Sequence, residues 1–162
     1  MSLIPNKRKK EEEIGIFFTN RYNKKYNTAY DLCIDEEDRD IDCLMRSKID
    51  DKHVGLQITT YDSVALETLA KHQKKPNKVI CFNPERVKCV KKAIVKKNNG
   101  IINNNFLLIW SDGLTGFNYD YIKEETLNEC GLSNYKKIYL VKMPNNGIPK
   151  NESNEGEIIE LK

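Results

Sequence analysis

The chain has 162 residues, of which 39% are hydrophobic and 31% are charged, and its formal net charge is +3. This length favours one domain with a real core, and the composition is that of a soluble, highly solvated globular protein. Such a small net charge does not by itself indicate a nucleic-acid-binding protein. Because no apolar run approaches the roughly 18 residues of a membrane span and no signal-peptide core is visible, we expect no membrane partner.

The five cysteines are odd in number and scattered, and none of them forms a C-x-x-C pair. This usage is typical of reduced, buried thiols in a cytosolic protein, so we predict a cytoplasmic location. A zinc site built from Cys33, Cys43 and His53 would lack the usual ligand spacing.

The first predicted element is an amphipathic helix over residues 6–26, with Ile14, Phe17 and Phe18 on its apolar side. Glu13 lies on the flank of that stripe, at the edge of the core. It has two interpretations, a carboxylate that suits the helix dipole or a ligand for a metal ion.

A strand over residues 29–34 and a hairpin follow the helix. The arms of the hairpin are residues 40–46 and the more apolar residues 54–58, which resemble a central strand. Asp42 on the first arm and Gln57 on the second can meet across the ladder if the register places them opposite or diagonal. Asp42 could equally be a solvent-facing residue, and Gln57 a core amide with satisfied hydrogen bonds.

Helices and strands alternate in the rest of the chain. The predicted helices cover residues 62–75, 83–98 and 121–130, and the predicted strands cover residues 78–82, 106–110 and 138–143. The FLLIW run at 106–110 is apolar throughout, so we expect a strand covered on both faces, as parallel strands are.

The predicted fold is therefore α/β (α+β), a mixed central sheet flanked by helices. Its core order is α-β-β-β-α-β with an α-β-α-β extension. Residues 1–143 form the single domain. Residues 144–162 are a polar and flexible tail, in which residues 158–161 could instead form an edge strand.

This element order, with Asp42 on the second strand and the tripeptide Gln57-Ile58-Thr59 on the third, resembles the restriction-endonuclease-like, or PD-(D/E)XK, nuclease superfamily. The resemblance covers roughly residues 11–82. It implies a Mg²⁺-dependent DNA endonuclease, a hydrolase in which Asp42 and Gln57 hold the metal ion. Hard oxygen ligands suit Mg²⁺, which polarises the phosphoryl group and activates the attacking water.

Two positions depart from the family pattern. Gln57 is a neutral amide, and Thr59 stands where the family has its catalytic lysine. The resemblance then offers a lysine of the following helix, Lys71, Lys74 or Lys75, as the replacement ammonium group and Glu13 as an additional catalytic carboxylate. A helical wheel, however, places all three lysines opposite the apolar side of that helix.

Lys88, Lys92 and Lys96 recur every four residues on one side of the helix over 83–98. They form either a solvated helix face or a stripe that binds nucleic-acid phosphates.

Three hypotheses follow. The first is a Mg²⁺-dependent nuclease or nuclease-like DNA-processing protein. The second is a catalytically inactive, nuclease-derived module that binds nucleic acid or a protein partner. The third is an unrelated α/β interaction domain. The oligomeric state stays open, a homodimer included.

Overall fold

The structure is a computed structural model that describes residues 4–34, 41–60, 82–97, 104–112, 119–143 and 156–162. These residues form four helices and six strands. In chain order the elements are α1 (Ile4–Tyr26), β1 (Tyr30–Cys33), β2 (Cys43–Ser47), β3 (His53–Thr60), α2 (Phe82–Lys97), β4 (Phe106–Asp112), α3 (Tyr119–Glu125), α4 (Leu127–Leu132), β5 (Lys137–Met143) and β6 (Glu157–Glu160).

The six strands form one mixed sheet whose spatial order is the same as their order in the chain. Strands β1, β2 and β3 are antiparallel neighbours, β3, β4 and β5 are parallel, and β6 is antiparallel to β5. The predicted fold class, a mixed sheet flanked by helices, is confirmed. Residues 106–109 of β4 are all buried, because this strand lies between two parallel neighbours and has both faces covered.

Two predicted elements differ from the structure. Phe82, which was predicted to end a strand, begins α2, and the parallel neighbour of β3 is β4. The predicted helix over 121–130 is divided into α3 and α4 at Thr126, whose buried hydroxyl donates to the carbonyl of Ile122 at 2.7 Å. The predicted helix over 62–75 lies outside the described residues.

The predicted flexible tail also needs revision at its end. Glu157–Glu160 forms β6, which is the edge strand that the sequence left as an alternative, so these residues belong to the folded domain. Residues 144–155 lie outside the described part of the chain.

The sheet separates two hydrophobic cores. The first, here called the α1 core, contains Ile14, Phe18, Cys43, Met45, Leu56, Ile58, Phe106, Leu108, Tyr139, Val141, Met143 and Ile158. The second, here called the α2 core, contains Val87, Cys89, Val90, Ala93, Ile94, Leu107, Ile109, Ile122, Cys130, Tyr135, Ile138, Leu140 and Leu161. Successive residues of β4 alternate between the two cores, as the two-residue period of a strand requires.

Helix α1 packs very closely on β1 and β2, and Gly15 makes this approach feasible. A Cβ atom at Gly15 would lie 3.0 Å from Leu32 Cδ2 and 3.2 Å from Cys43 Sγ, so a larger side chain would push the helix away from the sheet. The close packing also brings Glu11, one helical turn before Gly15, next to the first residues of β2.

The other end of α1 is fixed by Asn27 and Asn23. Asn27 adopts a left-handed conformation, with φ of 53°, just after the last helical residue, as is common at helix ends. The Asn23 side chain donates to the carbonyl of Tyr30 and accepts from its N–H, both at 2.9 Å. These bonds set the direction in which the chain enters β1.

Four of the five cysteines lie in the described part of the chain, and none of these four forms a disulfide. Burial is the main cause that raises the pKa of Cys43 to about 12, and it also raises the pKa of Cys130. Both thiols are therefore poor nucleophiles. None of the described helices is long and apolar enough to cross a membrane.

Candidate functional site

Asp42 lies directly before β2 and is built into the β2–β3 ladder. Its backbone N–H donates to the carbonyl of Leu56 at 2.8 Å, and its Oδ2 accepts the backbone N–H of Ile58 at 2.7 Å. At the point where β2 begins, the Asp42 carboxylate therefore takes the place of a backbone carbonyl as the hydrogen-bond acceptor for β3. The half-buried Asp42 side chain is fixed in place by this bond.

Glu11 on α1 is the second carboxylate at this position. Its side chain is only 15% exposed, and burial is the first cause that raises its pKa, followed by the negative charge of Asp42. The negative charge of Asp42 is thus close enough to disfavour the ionised form of Glu11. The Cys43 thiol links the two elements, since it donates weakly to the Glu11 carbonyl at 3.9 Å.

Two ammonium groups partly offset this concentration of negative charge. Lys7 forms an ion pair with Glu11, with 3.7 Å between Nζ and Oε1. The charge of Lys97, in the last turn of α2, also acts to lower the pKa of Glu11, although the net direction stays upward. Residues from α1, α2 and the start of β2 therefore form one polar corner, here called the Glu11–Asp42 corner.

Gln57 lies in the middle of β3, and its amide has a specific partner. The hydroxyl of Tyr135 donates to Gln57 Oε1 and also lies 3.1 Å from the carbonyl of Lys97. Tyr135 belongs to the α2 core, so the Gln57 side chain is on the opposite face of the sheet from Leu56 and Ile58. The register brings Asp42 and Gln57 to neighbouring positions on the ladder, but their side chains bind different partners.

The other predicted site residues are placed as follows. Glu13 is half-exposed and pairs with Lys10 at 3.8 Å, so Glu11 takes the position beside Asp42. Thr59 is half-buried on the same face as Gln57. Lys71 lies outside the described residues.

The basic stripe lies where the sequence predicts it. Lys88, Lys92 and Lys96 are all exposed on α2, and the helix buries Val90 and Ile94 against the sheet. Whether this face binds nucleic acid stays a prediction.

The Glu11–Asp42 corner offers a limited set of ligands for a metal ion. Within the described ranges, no group of three or more His, Cys, Asp or Glu side chains is arranged to hold one. Two carboxylates nevertheless fit Mg²⁺, because this ion usually keeps several waters and takes only one or two protein carboxylates beside the substrate phosphate. A divalent cation would also relieve the repulsion that raises the pKa of Glu11.

Sequence reasoning missed three residues of this region, namely Glu11, Lys97 and Tyr135. Glu11 precedes Ile14 by three positions and Phe18 by seven, so helical spacing could have placed it on the buried side of α1. No local signal connects Tyr135 with Gln57, because the two residues are 78 positions apart.

Comparison with known proteins adds no relative. No protein-family model matches the chain, and neither the curated proteins nor the solved structures that were searched contain a match.

Proposed function

We propose that the chain is a nuclease-like DNA-processing domain that acts in the cytoplasm, with the Glu11–Asp42 corner as its reaction centre. The observation that carries the proposal is the placement of two carboxylates together at the start of β2, where burial and, after it, the charge of Asp42 raise the pKa of the half-buried Glu11. Perturbed carboxylates of this kind concentrate at functional sites. The order of the first four elements, α1-β1-β2-β3, also agrees with the nuclease resemblance.

In this proposal the chain itself supplies two functions at the Glu11–Asp42 corner. Asp42 and Glu11 hold a divalent cation, and the bond from Ile58 N–H fixes the orientation of the Asp42 carboxylate. Bound Mg²⁺ supplies Lewis-acid polarisation of a phosphodiester and a water of lowered pKa. Lys97 takes the place of the missing family lysine, because its ammonium group lies within electrostatic reach of Glu11 and can stabilise negative charge that develops on the phosphate.

The test is a plasmid-nicking assay with Mg²⁺ or Mn²⁺, using Asp42→Asn and Glu11→Gln. Both variants keep the size of the side chain and remove its charge. We expect each to lower the rate by about a hundredfold or more, the loss seen when an essential electrostatic group is removed. Glu13→Gln is the matched control, because Glu13 is on the same helix but pairs only with Lys10 among the described residues.

The proposal fails if the wild-type protein does not nick DNA under these conditions. It also fails if Asp42→Asn nicks at the wild-type rate, since the activity would then come from a contaminant or from another site.

A second candidate function is a nuclease-derived module that binds nucleic acid without cleaving it. Gln57 favours this candidate, because its oxygen already accepts a hydrogen bond from Tyr135. The basic stripe of Lys88, Lys92 and Lys96 would then hold phosphates. Binding that weakens steeply with salt, survives Asp42→Asn and falls in the double variant Lys88→Glu/Lys92→Glu would select this candidate over the nuclease.

A further inference from the structure

A groove of about 430 Å³ lies at the amino-terminal ends of the three parallel strands β3, β4 and β5. Its lining includes Lys52, His53, Gly55, Asn104, Asn105 and Lys136. We propose that this groove binds a phosphate-bearing ligand of nucleotide size. The proposal does not depend on the nuclease function, since each could hold without the other.

The groove is separate from the Glu11–Asp42 corner. Gly55 lies near the start of β3, whereas Ile58, which donates to Asp42, lies three residues further along. At about 3.3 Å per residue the two positions are about 10 Å apart along the strand, so the groove and the corner can be tested independently.

The absence of a side chain at Gly55 shapes the floor of the groove. A Cβ atom at this position would lie 2.5 Å from Asn105 Oδ1 and 2.6 Å from Ile41 Cγ2. The Asn105 carboxamide therefore lies directly over the backbone of β3, where any larger residue would displace it. The Lys136 N–H donates to the Asn105 carbonyl at 3.0 Å, which ties the start of β4 to the start of β5.

The rim that carries Lys52 is also fixed by hydrogen bonds. The Ser47 N–H donates to the Lys52 carbonyl at 2.9 Å, and the Lys52 N–H donates to Asp50 Oδ1 at 3.1 Å. The turn between β2 and β3 is therefore ordered before any ligand binds. A preformed site loses less conformational entropy on binding than a flexible loop would.

The chemistry of the lining selects an anion with several hydrogen-bond acceptors. Lys52 and Lys136 supply two ammonium groups, and within the described residues neither forms an ion pair. The imidazole of His53 and the amide of Asn104 add donors, against one carboxylate, that of Asp51. Phosphate oxygens match such donors. The volume of the groove lies within the range of about 300–1,000 Å³ that small-molecule sites occupy, so the groove has room for more than a phosphate group.

The experiment is a titration of the ¹⁵N-labelled protein with inorganic phosphate, with 5′-AMP and with adenosine, monitored by amide chemical shifts. We expect phosphate and 5′-AMP to shift the amides of Gly55, Asn105 and Lys136, and adenosine to shift them much less. Tighter binding of 5′-AMP than of phosphate would support contacts between the nucleoside and the groove.

The double variant Lys52→Ala/Lys136→Ala should weaken 5′-AMP binding about tenfold or more, because two charge-assisted hydrogen bonds are lost. Lys123→Ala is the matched control, since Lys123 is exposed on α3 and does not line the groove. The proposal is overturned if neither anion binds, if adenosine binds as tightly as 5′-AMP, or if the double variant binds like the wild type. Because no readout here involves DNA cleavage, failure of this proposal is distinguishable from failure of the nuclease proposal.

Discussion

At the scale of single residues, Asp42 combines a structural role with an electrostatic one. Its Oδ2 satisfies the backbone N–H of Ile58, and its charge adds to the effect of burial in raising the pKa of Glu11. The variant Asp42→Asn separates the two roles. Its amide oxygen can still accept the hydrogen bond from Ile58, but its side chain carries no charge.

We predict that Asp42→Ala lowers the free energy of unfolding by about 1–3 kcal/mol, since it leaves the N–H of the buried Ile58 without an acceptor. Asp42→Asn should lower it by about 1 kcal/mol or less. Urea denaturation of both variants measures the difference. Equal losses in the two variants would contradict a structural role for the Oδ2 hydrogen bond.

Glu11 gives a prediction for the pH dependence of stability. Because its pKa in the folded protein lies above the ordinary value of 4.5, the folded state binds more protons than the unfolded state just above that pH. Glu11 therefore lowers the free energy of unfolding as the pH rises from 4.5 through its folded-state pKa. We expect Glu11→Gln to gain stability relative to the wild type across this window.

Urea denaturation at a series of pH values tests the sign for Glu11. Glu13→Gln is the control and should follow the wild type. A Glu11→Gln variant that becomes less stable than the wild type as the pH rises would show that the lysines outweigh burial and Asp42 at this position.

At the scale of elements, β6 is attached to the rest of the fold by a chain of polar groups. Lys137 donates to Glu160 at 2.6 Å, Tyr26 donates to Glu160 at 2.8 Å, and the buried Tyr139 hydroxyl donates to Tyr26 at 3.2 Å. One carboxylate thus connects β6 with both α1 and β5.

We predict that this attachment weakens at low pH. Burial acts to raise the pKa of Glu160, but the hydrogen bonds from Lys137 and Tyr26 outweigh it, so the pKa lies below the ordinary value. The stability that Glu160 contributes is therefore present above pH 4.5 and is lost as the pH falls through the folded-state pKa. At 29% exposure the effect should be at most about 1 kcal/mol.

Amide hydrogen exchange in β6 measures the effect, with Glu160→Gln as the variant that should not respond in this pH range. Because the intrinsic exchange rate itself slows as the pH falls, the rates are compared as protection factors. Wild-type protection factors in β6 that do not fall on acidification would contradict the prediction.

Tyr135 connects two elements, because its hydroxyl bonds Gln57 on β3 and the carbonyl of Lys97 at the end of α2. We predict that Tyr135→Phe lowers the free energy of unfolding by about 1–3 kcal/mol, since the single hydroxyl proton that the half-buried Gln57 oxygen and Lys97 carbonyl share is lost. Chemical denaturation checks the magnitude. A loss close to zero would contradict a structural role for the Tyr135 hydroxyl.

At the scale of the whole molecule, one sheet is shared by both cores, so damage to either core should unfold the entire domain. Phe18→Ala in the α1 core should cost about 3–5 kcal/mol and Ile94→Ala in the α2 core about 2–5 kcal/mol. Trp110, the single tryptophan, lies on β4, the strand that both cores share, and its side chain packs against the α1 core. Its fluorescence and far-UV circular dichroism should give coincident transitions in both variants.

Local patterns predicted most of the scaffold, because α1, the hairpin and β4 each carry a periodicity that matches their burial. Element boundaries depended more on tertiary contacts. Phe82, for example, follows an apolar run typical of a strand but begins a helix. Likewise, β6 forms only because β5 offers it a hydrogen-bonding edge.

The candidate site was less predictable than the fold, for a geometric reason. The sequence identified Asp42 and Gln57, and the register does make them neighbours on the ladder. It did not show that Glu11, rather than Glu13, faces Asp42, since that depends on how closely Gly15 lets α1 approach the sheet. The partner of Gln57 depends on where a tyrosine 78 residues away is placed.

The two outermost strands of the sheet have a consequence for association between copies of the protein. Strands β1 and β6 are only four residues long, and each carries an exposed acidic residue, Asp31 and Glu157 respectively. An incoming strand would have to align with a very short backbone and lie beside charged groups, the Asp31–Lys48 ion pair at 3.2 Å on one side of the sheet and Glu157 on the other. The fold is therefore protected against edge-to-edge polymerisation into fibrils, although its central strands are strongly apolar.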